Sequence, residues 1–519
     1  MTNKPLTRRD FIHLAGRYGG TAFTAITALG LISKASGQGV VLSDRPKLST
    51  GKKVLILGAG VAGMTAAYEL AKLGIDSVIF EAGKRAGGRC ITIRRGDVVE
   101  ETTGVKQVCD FDEGEFFDPG PVRFPQWHVT MDYCRELKIP IQPFVGLNEN
   151  AYYLSTKEGG LKNKRVRIRE AKADLRGYTT ELLAKVADQA ALDQPLDAAD
   201  KEKLMAFLRY EGGLDKSNKY VGHSRRGYDV WPSAGLEEGK LGQTLAFKDL
   251  LQSELGMLFH RANEYQYQSA MFSPVGGMDN IAKALERETK DKIIYGAKVK
   301  EFRKTPTGAK VIYTKDGTDT EVTGDYLICT IPPPVLKRIP NDFAAPVKSV
   351  INIVPFQNSG KIGLQFKNRF WENDDRIFGG VSWTNLPNGE IWYPNQGYFK
   401  PKGVVTGYYV FGPVSDQLGR MAPAERTEFA LANGEQMHPQ YRGAFENAVS
   451  YNWATIPNIE GCLAHFPQAM IKTFYPLLVK PDGNFYIAAD WASHLGGWQA
   501  GAFEAARLAV DSIYKRSVA

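Results

Sequence analysis

Val54-Leu55-Ile56-Leu57-Gly58-Ala59-Gly60-Val61-Ala62-Gly63 is the stretch on which the reading of the whole chain turns. Four apolar residues in a row, stopped by glycines, read as a strand buried on both faces. Glycines at 58, 60 and 63 let the chain turn tightly, bring backbone N–H groups against a pyrophosphate, and pack a following helix closely on the strand. Met64 to Leu73 has helix-forming composition, Gly74 closes it, and Ser77-Val78-Ile79-Phe80 reads as a second strand. Glu81 ends that strand, where a carboxylate accepts from ribose hydroxyls. Strand, glycines, helix, strand and acid in this order predict a βαβ dinucleotide site. The carboxylate disfavours a 2′-phosphate and hence NADP; FAD and NAD both stay open at this point.

The 519 residues exceed what one ordinary core supports, so two or three structural units are expected. With 43% hydrophobic and 24% charged residues the composition is that of a globular protein. The net charge of +8 is concentrated at the start: residues 1–37 hold Lys4, Arg8, Arg9, Arg17 and Lys34 against Asp10 alone. What remains is too weakly basic to track a phosphate backbone, so no nucleic-acid partner is expected. Cys90, Cys109, Cys134, Cys329 and Cys462 are spread singly, which indicates neither a metal site nor a disulfide framework. Thr7-Arg8-Arg9-Asp10-Phe11-Ile12 matches the twin-arginine export pattern, ahead of a mildly apolar run and small residues at Ala35-Ser36-Gly37. Export to the periplasm or beyond is the expectation; an amphipathic helix with a chance Arg-Arg pair, in a cytoplasmic protein, is the alternative. Arg17 and several glycines interrupt the run, so stable membrane association is not expected.

Lys84-Arg85-Ala86-Gly87-Gly88-Arg89 follows Glu81 directly, and Phe485-Tyr486-Ile487-Ala488-Ala489-Asp490 with Gly496-Gly497-Trp498-Gln499-Ala500-Gly501-Ala502 closes the chain. These segments resemble the two cofactor-binding segments of the flavin amine oxidase superfamily. Ser273-Pro274-Val275-Gly276-Gly277-Met278, the stretch near Val299 and Asp325 to Pro333 resemble its middle segments. The resemblance implies FAD, bound without a covalent link. It implies a Rossmann-like α/β domain, a mixed-sheet substrate domain and a helical insertion. Cofactor contacts are then expected at Gly58, Gly60, Ala62, Gly63, Glu81, Ala82, Gly88, Arg89, Val299, Asp490, Gly497, Trp498, Gln499 and Ala500. Asp490 stands where the family usually has glutamate. The boundaries this implies are 1–37 for the export segment, 50–118, 270–345 and 466–519 for the FAD domain, 119–160 and 346–465 for the substrate domain, and 161–265 for the insertion.

Asp118-Pro119-Gly120-Pro121-Val122-Arg123-Phe124-Pro125 resembles the L-amino acid oxidase branch, in which Gly120, Pro121 and Val122 would run along the flavin and Arg123 would clamp the substrate carboxylate. A carboxylate buried beside a flavin needs a partner, and a planar guanidinium pairs with it bidentately. Gly403-Val404-Val405-Thr406-Gly407-Tyr408 resembles the strand whose tyrosine adds a second hydrogen bond. Tyr408 is chosen over Tyr409, since alternation lets only one of them face the site. Gly497 and Trp498 are expected to bound the substrate, and Lys361 to hold a water near flavin N5. His260 receives no role. Phe124, Trp127, Trp383, Trp392 and Trp498 are candidates for an apolar pocket suited to large apolar or aromatic side chains. The implied reaction is hydride transfer from Cα, imine hydrolysis to a 2-oxo acid and ammonia, and reoxidation by O2 to H2O2, in a homodimer. Alternatives are an amino-acid 2-monooxygenase, a mono- or polyamine oxidase and, more remotely, a non-catalytic flavin-binding redox sensor.

Overall fold

In a computed structural model that describes residues 40, 42, 45–188, 197–264, 268 and 270–518, Lys53–Leu57 is the middle strand of a five-stranded parallel sheet. Across the sheet the order is Ile293–Tyr295, Asp76–Glu81, Lys53–Leu57, Tyr326–Cys329 and Phe485–Ile487. Helices cover one face: Ala66, Ala67 and Leu70 of Val61–Lys72 and Phe503, Ala506 and Val510 of Gln499–Val518 pack on Val54, Ile56 and Ile328. A three-stranded antiparallel sheet, Lys298–Lys304, Ala309–Lys315 and Thr318–Gly324, covers the other, with Phe302 and Val311 against Leu55, Leu57 and Leu327. Both faces being covered is why the sheet's interior runs, Val54 to Leu57 and Leu327 to Cys329, are apolar without a break. The expected export segment, residues 1–37, lies outside the described residues, as does the side chain of His260.

A seven-stranded mixed sheet stands beside this unit, in the order Phe445–Asn452, Ser359–Phe366, Gly403–Phe411, Glu390–Trp392, Val381–Thr384, Tyr152–Leu154 and Arg165–Arg167. Ser359–Phe366 is buried at all its positions. Its partner Gly403–Phe411 carries a bulge: Ile362 pairs with Tyr408 but Gly363 pairs with Thr406, which leaves Gly407 as the extra residue.

The stretch 161–265 is less purely helical than its composition suggests. Arg165–Arg167 first adds an edge strand to the large sheet, because Val166 alternates between two arginines and turns into the core. Helices Ile168–Asp188 and Ala198–Gly212 follow, and then a hairpin, Tyr228–Val230 with Lys240–Leu241. A buried ion pair ties this region together: Asp174 sits 3.1 Å from Arg226 and accepts from the Tyr220 hydroxyl and the Leu245 N–H. Residues 270–274 pair with Ile141–Val145 and not with the five-stranded sheet, Phe272 and Ile141 packing on that sheet's helix-side core and Met271 and Phe144 in the core of the large sheet. No helix among the described residues is long and apolar enough to cross a membrane.

Candidate active site

The carboxyl ends of Lys53–Leu57 and Asp76–Glu81 open on a cavity of about 1370 Å3, which runs from the glycine turn to the large sheet. At its head the turn is sterically enforced. Gly58 has φ +101°, and a Cβ on Gly63 would lie 2.0 Å from the Gly58 carbonyl oxygen. Gly60 lines the cavity and a Cβ there would meet nothing within 4 Å, so the opening is free for a ligand to approach the backbone. Helix Val61–Lys72 starts at Gly60 with no side-chain cap and no acid in its first turn, which leaves its first N–H groups to an anion. Glu81 is fixed beside them: its carboxylate accepts from Ala59 N–H at 2.8 Å and Gly83 N–H at 2.7 Å. An uncapped helix end, a bare glycine and an oriented carboxylate fit the pyrophosphate and ribose of a dinucleotide. Ala82, Gly88 and Val299 also line this end, whereas Gly63 serves as the close helix–strand contact.

Farther in, Arg89 and Asp490 join the two ends of the chain. The guanidinium pairs bidentately with the carboxylate, with one N–H at 3.0 Å, and also donates to the Cys462 carbonyl. Asp490 in turn accepts from Gly497 N–H at 3.2 Å. Arg89 therefore lines and braces the cavity wall, its charge matched by Asp490. The shorter acid at 490 reaches its neighbours because Arg89 meets it. Gly497, Trp498 and Gln499 line the cavity, but Ala500 does not. It is fully buried in the helix-side core, and Ala502 faces the cavity in its place, because Gln499–Val518 is already helical at 500 and turns that side chain inward.

The turn Gly120-Pro121-Val122-Arg123 crosses the middle of the cavity. Gly120 is required for contact: its Cβ would lie 2.1 Å from the Arg89 carbonyl oxygen. Arg123 is 9% exposed, with its guanidinium carbon 4.6 Å from the Trp392 ring and 5.6 Å from the Trp498 ring. Two indoles thus fix the direction of a charge that reaches into the cavity. Lys361 lies under the same turn, donating to the Gly120 carbonyl at 2.6 Å and sitting 4.4 Å from the Tyr409 ring. Burial, helped by the charge of Arg123, brings its pKa down to about 8. Asp118, whose carboxylate accepts from Thr92 and from Met278 N–H, is pushed up to about 6 by burial.

Tyr408 is not at this site. It is 1% exposed, packs on Phe429 in the core behind the sheet, and faces away from the cavity. Tyr409 lines the cavity instead, opposite Lys361 in the pairing. The cause is the bulge at Gly407: it reverses the alternation, so the row Val404, Thr406 continues into Tyr409. Among the aromatic candidates, Trp383 and Trp498 line the cavity and Trp392 backs Arg123. Phe124 is in the helix-side core, and Trp127 is 40% exposed. Sequence reasoning passed over two residues here. Glu390, on the face of Glu390–Trp392 that also carries Trp392, lines the cavity and accepts from the Trp392 indole at 2.8 Å. His128 lies edge-on to Trp498, 5.0 Å away, and burial lowers its pKa to about 4, so it is neutral. Period-2 spacing in Glu390-Ile391-Trp392 was a usable signal for the first; nothing local signals the second.

Comparison with known proteins agrees with this geometry. The family model described as flavin containing amine oxidoreductase matches residues 61–514. The L-amino-acid oxidase of Protobothrops flavoviridis is 26% identical over 474 residues, spanning 87% of this chain and 86% of that protein. That of Vipera ammodytes ammodytes is 25% identical over 481 residues, spanning 87% and 90%. Among solved structures, cyclohexylamine oxidase from Brevibacterium oxydans superposes with a TM-score of 0.59 at 15% identity, over 90% of this chain and 99% of that one. Putrescine oxidase bound to putrescine gives 0.58 at 18%, with the same coverage. The chain belongs to the flavin containing amine oxidoreductase family, and it is an FAD-dependent oxidoreductase.

Proposed function

We propose that the protein is an L-amino acid oxidase, which converts L-amino acids, ammonia being released, to 2-oxo acids with formation of H2O2. The observation that carries this reading is Arg123, a buried guanidinium held between Trp392 and Trp498 and directed into the cavity. Oxidation of a simple amine needs no cation there, whereas a substrate carboxylate does. Arg123 takes the carboxylate in two parallel hydrogen bonds, and the Tyr409 hydroxyl adds a third. The Gly497 carbonyl accepts from the amino group, and Trp498 walls the substrate so that its Cα–H faces the cofactor site. FAD, when bound, supplies the two-electron acceptor and the reactivity toward O2. Lys361 holds the Arg123 turn by its carbonyl and puts a positive charge at the same spot.

The two L-amino-acid oxidases named above support the choice of amino acids over amines. Trp383, Phe411 and Val414 in the cavity wall support large apolar or aromatic side chains. Export through the Thr7-Arg8-Arg9 signal, non-covalent FAD and a homodimer complete the proposal. A panel of L-amino acids and their decarboxylated amines, assayed for peroxide and 2-oxo acid, tests it. Amide in place of 2-oxo acid identifies a monooxygenase, and turnover of the amines alone identifies an amine oxidase.

A further inference from the structure

A second, smaller chamber of about 70 Å3 lies behind Lys361, on the same face of the seven-stranded sheet. The two cavities share Lys361, Val122 and Tyr409. The chamber's floor is Val404 and Thr406, the row that the bulge continues into Tyr409. Phe117 forms one wall by lying over Gly363, where a Cβ would come within 2.8 Å of its ring. Strands Ile141–Val145 and Ala270–Pro274 close the far side, and the chamber opens by the part-exposed Gln142 and Gln396.

Its size admits about two water-sized molecules and excludes an amino acid. Phe117, Phe144, Trp392 and Val404 line part of it, with Gln142, Ser273, Asn395, Gln396 and Thr406 between them, so the chamber takes small neutral molecules, dioxygen as well as water. The inner end is the Lys361 ammonium, which favours negative charge developing on an arriving oxidant. In the main cavity a substrate or product clamped by Arg123 stands in the way of anything that enters from the mouth. We propose that this chamber is the route by which dioxygen reaches the Lys361 side of the reaction centre while the main cavity is occupied. The proposal rests on the oxidase reading: dioxygen takes up the two electrons removed from the substrate together with two protons, and leaves as H2O2.

Two measurements test it. Crystals of the wild-type holoenzyme pressurised with xenon are expected to show xenon between Phe117, Val404 and Thr406; a chamber without xenon overturns the proposal. Thr406→Leu and Val404→Phe fill the chamber while Arg123, Tyr409 and Lys361 stay unsubstituted. In rapid mixing, anaerobic bleaching by L-phenylalanine is expected to keep its rate, while return of the flavin colour on mixing with O2 slows about tenfold. Unchanged colour return in the filled variants, or an equal loss in both half-reactions, overturns the proposal. A wild-type enzyme that no amino acid bleaches strikes at the oxidase reading, which the xenon experiment does not depend on.

Discussion

Replacing Arg123 with alanine removes the cation that the proposed function assigns to the substrate carboxylate. The side chain is 9% exposed and flanked by two indoles, so the carboxylate meets it in a site poor in water. Leaving one member of a buried ion pair without its partner costs about 3–5 kcal/mol. At about 1.4 kcal/mol per factor of ten, that is a rise in KM of roughly two to three and a half orders of magnitude. Arg123→Lys keeps the charge but not the planar fork, and forfeits about one charged hydrogen bond, for a rise of roughly ten- to a hundredfold. Initial rates of peroxide formation with L-phenylalanine give KM and kcat for each variant. The visible flavin spectrum and Tm show that the variants still bind FAD and fold. Arg123→Ala with a KM within about twofold of wild type would refute the reasoning, since no carboxylate clamp disappears at so small a cost. So would an equal loss on a decarboxylated amine, which has no carboxylate to lose.

Tyr409→Phe is expected to raise KM about tenfold, the worth of one hydrogen bond to a charged group, while Tyr408→Phe leaves KM unchanged; the pair of KM values checks which face the bulge turns inward. Lys361 is protonated below about pH 8 and loses its charge above it, so colour return on mixing with O2 should slow as pH rises through 8, and Lys361→Met should show no such fall. The same lysine binds fewer protons folded than unfolded between about 8 and 10.5, so it makes stability rise with pH across that window. The Tm of wild type should gain on that of Lys361→Met between pH 8 and 10. Burial raises the Cys462 thiol pKa and keeps the thiolate scarce, so acid precipitation should leave the yellow colour in the supernatant; a yellow pellet would mean a covalent link.

The nucleotide site was legible because its causes are local. A 2.0 Å clash at Gly63 and a positive φ at Gly58 leave glycine as the residue that fits, so the spacing in the chain already states the geometry. Glu81 was legible for the same reason, ending a strand at a set distance from the turn. Tyr409 was not. Which tyrosine faces inward depends on how Gly403–Phe411 pairs with Ser359–Phe366, and a one-residue bulge inverts the answer without leaving a mark in the local pattern. The Arg89–Asp490 brace and the Trp498–His128 contact likewise join residues hundreds of positions apart. Val166 between arginines, and the hairpin at 228–241, were hidden in a stretch whose average composition is helical. Composition averages over exactly the few residues that decide such edges.

The five-stranded sheet takes its last strand from Phe485–Ile487, and the wall opposite the glycine turn from Asp490 to Gln499. During synthesis at about 5–20 residues per second, Gly58 waits roughly 20–90 seconds for those partners to emerge. The cofactor cavity is therefore complete only once Phe485 to Gln499 has been made. A chain that stops short of Phe485 keeps the whole glycine turn yet has an open groove, with Tyr326–Cys329 as an unprotected apolar edge. Loss of yellow colour then marks a truncated or stalled product before any assay of turnover.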